Sequence, residues 1–405
     1  MNLPKILLLF ATLIFTFSCQ EDDTFNNEID RPFDNPDIED PDNGTPDNGV
    51  EISEAALGKL LFWDPILSGE MDIACASCHH PDFGYSDGRA LSIGVGGQGL
   101  GPNRFDAVND DISLVQRNAP TIINTAFNGM DVEGDYDPDL APMFWDNRAL
   151  SLEAQALGPL LSFEEMRGHA FSEELAFDSI VARLENNTLY KQYFSAVYGI
   201  NIPISSENIG AAIAAFERTI TATNSAFDRF TSGDESAMTN AQIRGMNRFD
   251  EIGCDDCHSG PMFSDFELHT LGVPDNNQLS FSDEGANGTY AFRTPTLRNL
   301  NETGPYFHNG VGGDLRQTIQ FYITARNFAN NNGPGGGGPG GPNGLSVNPN
   351  VNRGDIDDEV RDLENFGPNQ IEDIIAFIEA LNDPDFDRSI PSEVPSGLIP
   401  GGNIQ

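Results

Sequence analysis

Positive charge is scarce in this chain: 21 Lys and Arg stand against 63 Asp and Glu over 405 residues, a net charge of −42. That balance excludes nucleic acid as a partner and docking on anionic lipid through protein charge; it suits a basic protein partner, and equally plain solubility. Long apolar runs are missing except in MNLPKILLLFATLIFTFS, at residues 1–18, which is too short to span a bilayer as a mature helix and reads as an export signal. Period-2 strand patterns are few, so a mainly helical protein is expected. Histidine is limited to six residues and cysteine to five, and no methionine follows Met262.

The five cysteines are unevenly spent. Cys19 closes the apolar run behind Ser18, like the lipobox of a bacterial lipoprotein, and would become a lipidated N-terminus, although Thr16 stands where leucine is commoner. The other four form two copies of Cys-x-x-Cys-His: Cys75, Cys78 and His79 in CASCHH, and Cys254, Cys257 and His258 in CDDCH. No cysteine is left for a disulfide.

A two-pair zinc module sets its pairs within a few tens of residues, whereas these lie in opposite halves of the chain, and a thioredoxin-like motif would want a βαβ context. Covalent haem accounts for every residue of the motif. Two cysteines on one face of a helical turn form thioethers, and the adjoining histidine reaches the iron. Two haems c are therefore expected, with His79 and His258 as axial ligands.

Organisation follows from composition. Residues 19–51, acidic and rich in Asn, Pro and Gly, read as a disordered tether. Apolar spacing predicts helices in EISEAALGKLLFW, over 172–198, over 206–223 behind Ser205 or Ser206, after the T-N-A-Q capping box at Thr239, and at about Gln370 to Leu381. The Gly-rich stretch 330–344 is expected to be an exposed loop. Two lobes emerge, each with one cysteine motif.

The wider sequence resembles the bacterial di-haem cytochrome c peroxidase family, which includes MauG-type enzymes. The resemblance rests on LGKLLFWDPILSGEMDIACASCHHPDFGYSDGR, RNAPTIINTAFN, MFWDNRALSLEAQALGPLLSFEEM, AAIAAFERTI, GCDDCHSGPMFSD and FRTPTLRNLNETGPYFHNG, in the family's order from about residue 55 to 380. It implies two cytochrome c-like helical domains with one covalent haem c each. The boundaries drawn are 52–233 for the N-terminal, peroxidatic domain and 234–392 for the C-terminal, electron-transfer domain, with 393–405 as a tail. Electrons from a small cytochrome or copper protein would enter at the second haem and reach the first, where hydrogen peroxide becomes water.

Residue by residue, the resemblance implies that Glu165 is the catalytic acid–base group, Gln155 orients peroxide, and Trp145 lies between the haems. Without it, Glu165 and Gln155 read as solvated helix residues and Trp145 as a buried anchor. Asn147 stands where glycine is usual and should keep a positive φ. Val95 fills the position of a histidine that blocks the first iron in many members, so an open iron is expected. Tyr322 fills the position of the second iron's methionine ligand and is the expected sixth ligand, with His269 or water as the alternative. Asn118, Thr303 and Pro305 match a calcium site between the domains; His308 would contact a haem propionate, and His80 would be a surface neighbour of His79.

The resemblance leaves three readings: a peroxidase, a MauG-like oxidase of a protein or small molecule, and a non-catalytic electron carrier. Export to the periplasm or outer membrane of a Gram-negative bacterium, with membrane contact only through Cys19, is expected, and so is a homodimer by analogy.

Overall fold

The computed structural model describes residues 51–108, 111–330 and 344–405. The export signal, Cys19, the tether and nearly all of the Gly-rich loop lie outside the described residues. Helices dominate: α1 (Glu54–Trp63), α2 (Cys75–Cys78, a single turn), α3 (Leu152–Leu161), α4 (Ala176–Asn186), α5 (Thr188–Tyr198), α6 (Ser206–Glu217), α7 (Ala226–Thr231), α8 (Asn240–Ile252), α9 (Leu315–Ala329), α10 (Asp358–Asp362) and α11 (Pro368–Ala380). Strands are limited, among the described residues, to two antiparallel pairs of two residues each: β1 (Gly97–Gln98) with β2 (Phe105–Asp106), and β3 (Leu268–His269) with β4 (Phe292–Arg293).

Two cores organise these helices, and each is built on one close crossing. In the first, α1 packs Leu57, Leu61, Phe62 and Trp63 against Ile209, Ala212, Ile213 and Phe216 of α6. Full burial of each such side chain stabilises by roughly 1.5–3 kcal/mol. The helices touch at Gly58, where a Cβ would lie 1.7 Å from the Ala212 carbonyl oxygen. In the second, α8 packs Phe249 and Ile252 against Ile374, Phe377 and Ile378 of α11, with Ile319, Phe321 and Ala325 of α9 alongside. Gly245 plays the part of Gly58: a Cβ there would lie 1.8 Å from the Asp373 carbonyl oxygen.

Local signals explain the ends. Ser205 caps α6, so of the two serines only the first is the cap, and α6 stops at Glu217. Thr239 and Gln242 form the reciprocal capping box of α8. The helix expected over 172–198 is instead two, because Asn187 leaves helical geometry and its side chain accepts from the amides of Leu189 and Tyr190, restarting the chain as α5.

Residues 393–405, expected to be a tail, are tied into the first core. Val394 is buried there with Leu398 and Ile404 packed against it. Ser396 donates to buried Asp64 at 2.6 Å, Tyr190 donates to the other oxygen of Asp64 at 2.7 Å, and the Gly401 amide donates to the Trp63 carbonyl at 2.7 Å. Across the halves, Arg117, which also binds Asp146 at 2.7 Å, holds Asp283 at 2.6 Å; within the second core, where Phe227 and Phe230 of α7 pack, Arg298 holds Asp228 of α7 at 2.8 Å.

Candidate active site

The single turn α2 carries Cys75 and Cys78 on the first core, and the one-turn segment Cys254–Asp256 carries the second motif behind Gly253, whose φ of 90° ends α8. All four described cysteines are unpaired. Burial pushes the thiols of Cys75, Cys78 and Cys254 up, the last two to about 12. A cavity of about 340 Å³ is lined by both motifs.

Each motif histidine is prepared in the same way. His79 Nδ1 lies 3.1 Å from the Tyr85 carbonyl oxygen, and His258 Nδ1 lies 3.0 Å from that of Phe263. A carbonyl can only accept, so Nδ1 carries the proton in both rings and Nε2 keeps its lone pair. Burial lowers both imidazoles below their ordinary range and keeps them neutral. Two thiols and one neutral imidazole with a free Nε2, on the wall of a large cavity, are the donor set that a covalent haem requires, and the chain presents it twice.

The expected catalytic side chains meet on the wall of this cavity. Gln155, on α3, keeps Oε1 buried without a protein partner. Glu165 belongs to a single wide turn, Phe163–Arg167, whose start is capped by Ser162. Burial pushes its carboxyl up, Arg148 opposes this and Glu164 adds to it. Glu164 is not on the wall; its carbonyl accepts from the Val95 amide at 3.2 Å. Gly94 lets that loop close, since a Cβ there would meet the Glu164 carbonyl at 2.0 Å. Val95 is buried but lies off the cavity wall.

Trp145 lines the cavity, and its Nε1 donates to the Asn118 carbonyl at 2.9 Å. Asn147 has a φ of 53°, as expected for a residue standing in for glycine. Asn118, Thr303 and Pro305 also lie on the wall, the Asn118 Nδ2 donating to the Arg89 carbonyl at 2.7 Å. His308 is stacked on Phe292 at 3.6 Å, and burial lowers its imidazole to about 3.

On the second side, Tyr322 projects from α9 to the wall near Cys254 and Cys257. Burial, and to a lesser extent the neighbouring Cys257 and Cys254, raise its hydroxyl. His269, the alternative ligand, is engaged at both nitrogens: Nδ1 meets Asp357 at 2.6 Å and Nε2 meets Asp265 at 2.9 Å. Hydrogen bonds to the two carboxylates raise its imidazole from 6.5 to about 12. His80 is not at the surface either: it is buried edge-on against Trp63 at 5.5 Å, and its Nδ1 accepts from the Asp82 amide.

Sequence reasoning passed over Glu217, a buried carboxyl on the same wall. Its signal was present: it lies one turn beyond Ile213, on the apolar stripe of α6.

A mainly helical protein whose cavity carries two copies of the covalent haem donor set belongs to the class of di-haem c-type proteins, and a carboxyl and an amide, Glu165 and Gln155, lie on the same cavity wall. The comparisons are specific. The family profile for di-haem cytochrome c peroxidase matches residues 53–236. The chain is 34% identical over 275 residues to the methylamine utilization protein MauG of Methylorubrum extorquens, covering 67% of this chain and 68% of that one. It is 33% identical to the cytochrome c551 peroxidase of Nitrosomonas europaea, covering 66% and 71%. A crystal structure of a MauG-like protein associated with microbial copper homeostasis superposes with a TM-score of 0.63 at 26% identity, covering 83% and 91%. The chain belongs to the di-haem cytochrome c peroxidase family and is a peroxidase-type oxidoreductase.

Proposed function

We infer that this protein reduces hydrogen peroxide to water with electrons from a small redox protein. The observation that carries the reading is the duplicated histidine arrangement, with Nδ1 tied to a backbone carbonyl and Nε2 left free, beside a cavity that holds Glu165 and Gln155 on one side only. Cys75, Cys78 and His79 would hold a haem c in the N-terminal domain, and Cys254, Cys257 and His258 one in the C-terminal domain, the first domain being completed by residues 393–405.

Each haem would supply an iron that exchanges electrons, and the first an open coordination position for peroxide. The protein's own part is acid–base and positional. Gln155, its carbonyl oxygen unpartnered, accepts a hydrogen bond from peroxide and holds it in place. Glu165, whose raised pKa brings it towards neutrality, moves a proton from the inner to the outer oxygen, so that the outer one leaves as water. Trp145 bridges the two sides of the cavity for the electron. His308 is suited to a neutral hydrogen bond to a propionate, and Asn118, Thr303 and Pro305 offer oxygens to a calcium ion between the domains. Tyr322, on the cavity wall, would be the sixth ligand at the second iron, and Val95, which has no ligating atom, would leave the first open at rest.

The donor would be basic, a cytochrome c or copper protein that meets the charge of −42. Among the described residues no helix is long and apolar enough to cross a membrane; a lipid on Cys19 would tether the enzyme outside the inner membrane, where it could also dimerise. The test is donor oxidation by peroxide in the haem-loaded protein and in Glu165→Gln, which should lose about 10²–10⁴-fold. Oxidation of another substrate with wild-type efficiency in that variant would favour a MauG-like oxidase. A wild type inert to peroxide would leave an electron carrier.

A further inference from the structure

Glu217 takes no part in the chemistry described so far. It ends α6, on the face formed by Ile209, Ala212, Ile213 and Phe216, and is 4% exposed. Its Oε2 is buried without a protein partner. It shares the cavity wall with Cys75, His79, Gln155 and Glu165, and it is the charge that acts most strongly on the Cys75 thiol, which places it on the first side of the cavity.

An ionised carboxylate with an unsatisfied oxygen at such a place is costly, whereas the neutral acid is tolerable. The charged groups on the elements packed against it are Glu54 and Lys59 of α1, Glu153 of α3, and Arg218 beside it. Burial pushes its carboxyl up to about 8, with Arg218 opposing and Glu153 adding. Arg218 and Glu153 bind each other at 2.6 Å and are both partly exposed, so the pair connects this end of α6 with solvent.

We propose that Glu217 is the proton-loading group of the first site: a carboxylic acid that releases a proton into the cavity during peroxide reduction and is recharged from solvent past the Glu153–Arg218 pair. This rests on the peroxidase reading. Breaking the O–O bond consumes two electrons, both from the donor protein, and two protons, and yields two waters. Glu165 only transfers a proton that peroxide already carries. The two consumed protons come from outside, and Glu217 passes them inward, one with each electron, regaining each from solvent.

The experiment uses the full-length, haem-loaded protein. The reduction potential at the first site is followed against pH by spectroelectrochemistry, beside donor oxidation. In the wild type the potential should fall as pH rises through about 8, because a carboxylate there favours the oxidised iron. Glu217→Gln should flatten that fall, slow donor oxidation about tenfold or more, and leave the first reaction with peroxide within about twofold. Glu217→Asp should keep the fall. A Glu217→Gln protein with the wild-type fall and wild-type donor oxidation would overturn the proposal. If Glu217→Gln fails to take up haem, a flat potential in both the wild type and Glu217→Asp would overturn it. A wild type that does not consume peroxide would end the peroxidase reading alone, since the potential against pH still reports on Glu217.

Discussion

Gly58 and Ala212 touch backbone to backbone, with no room between α1 and α6 for even one methyl group. Gly58→Ala must therefore separate the helices or bend them, at a cost of about 1–3 kcal/mol. Gly245→Ala should do the same to the second core, against Asp373. Gly354→Ala is the control, because a Cβ there meets nothing within 4 Å. Denaturant unfolding of the three variants should give two large losses and one negligible change.

Tyr322 is the only tyrosine on the cavity wall that α9 supplies. Tyr322→Phe should change the optical and paramagnetic resonance spectra of the second site and leave peroxide binding at the first untouched. An unchanged spectrum would show that Tyr322 merely packs.

His269 gives a pH signature to the second half. Its imidazole is raised from 6.5 to about 12 by hydrogen bonds to Asp265 and Asp357 and to Cys257. A raised pKa stabilises the folded state fully below pH 6.5, where the unfolded residue is also charged, and the contribution drains away as pH climbs towards 12. His269→Gln should thus lose most stability in acid and progressively less in alkali. A loss that grows with pH would refute the double-aspartate arrangement.

Asp64 accepts from Tyr190 and Ser396 and is fully buried. Removing residues 396–405 should cost a few kcal/mol, since each hydrogen bond to a charged group contributes about 1.5–3 kcal/mol. Hydrogen exchange should quicken in α1 and α5 and stay unchanged in α8 and α11.

What could be read from the sequence was what short patterns encode. The cysteine motifs and the Thr239 capping box follow from residues a few positions apart, whereas the positive φ of Asn147 was expected through the family resemblance. Glu165 and Gln155 were assigned through family motifs, and their common wall is a long-range fact. The segment after residue 392 has no periodicity, so nothing local announced that Val394 and Ser396 would be buried against α1 and Asp64. His80 was misplaced for the same reason: Trp63 reaches it only through the tertiary fold.

The anchoring of Ser396 to Asp64 also sets an order of assembly. The segment that closes the first core lies beyond the whole of the second core in the chain, so the half that is synthesised first is the half that finishes folding last. Until then its Cys75–His79 turn lacks the strand-like bridge from Ile73 to Gly402 and the hydrogen bond from Ser77 to the Gly401 carbonyl. A turn left unbraced until then keeps its cysteines accessible, and the arrival of the last residues shuts it.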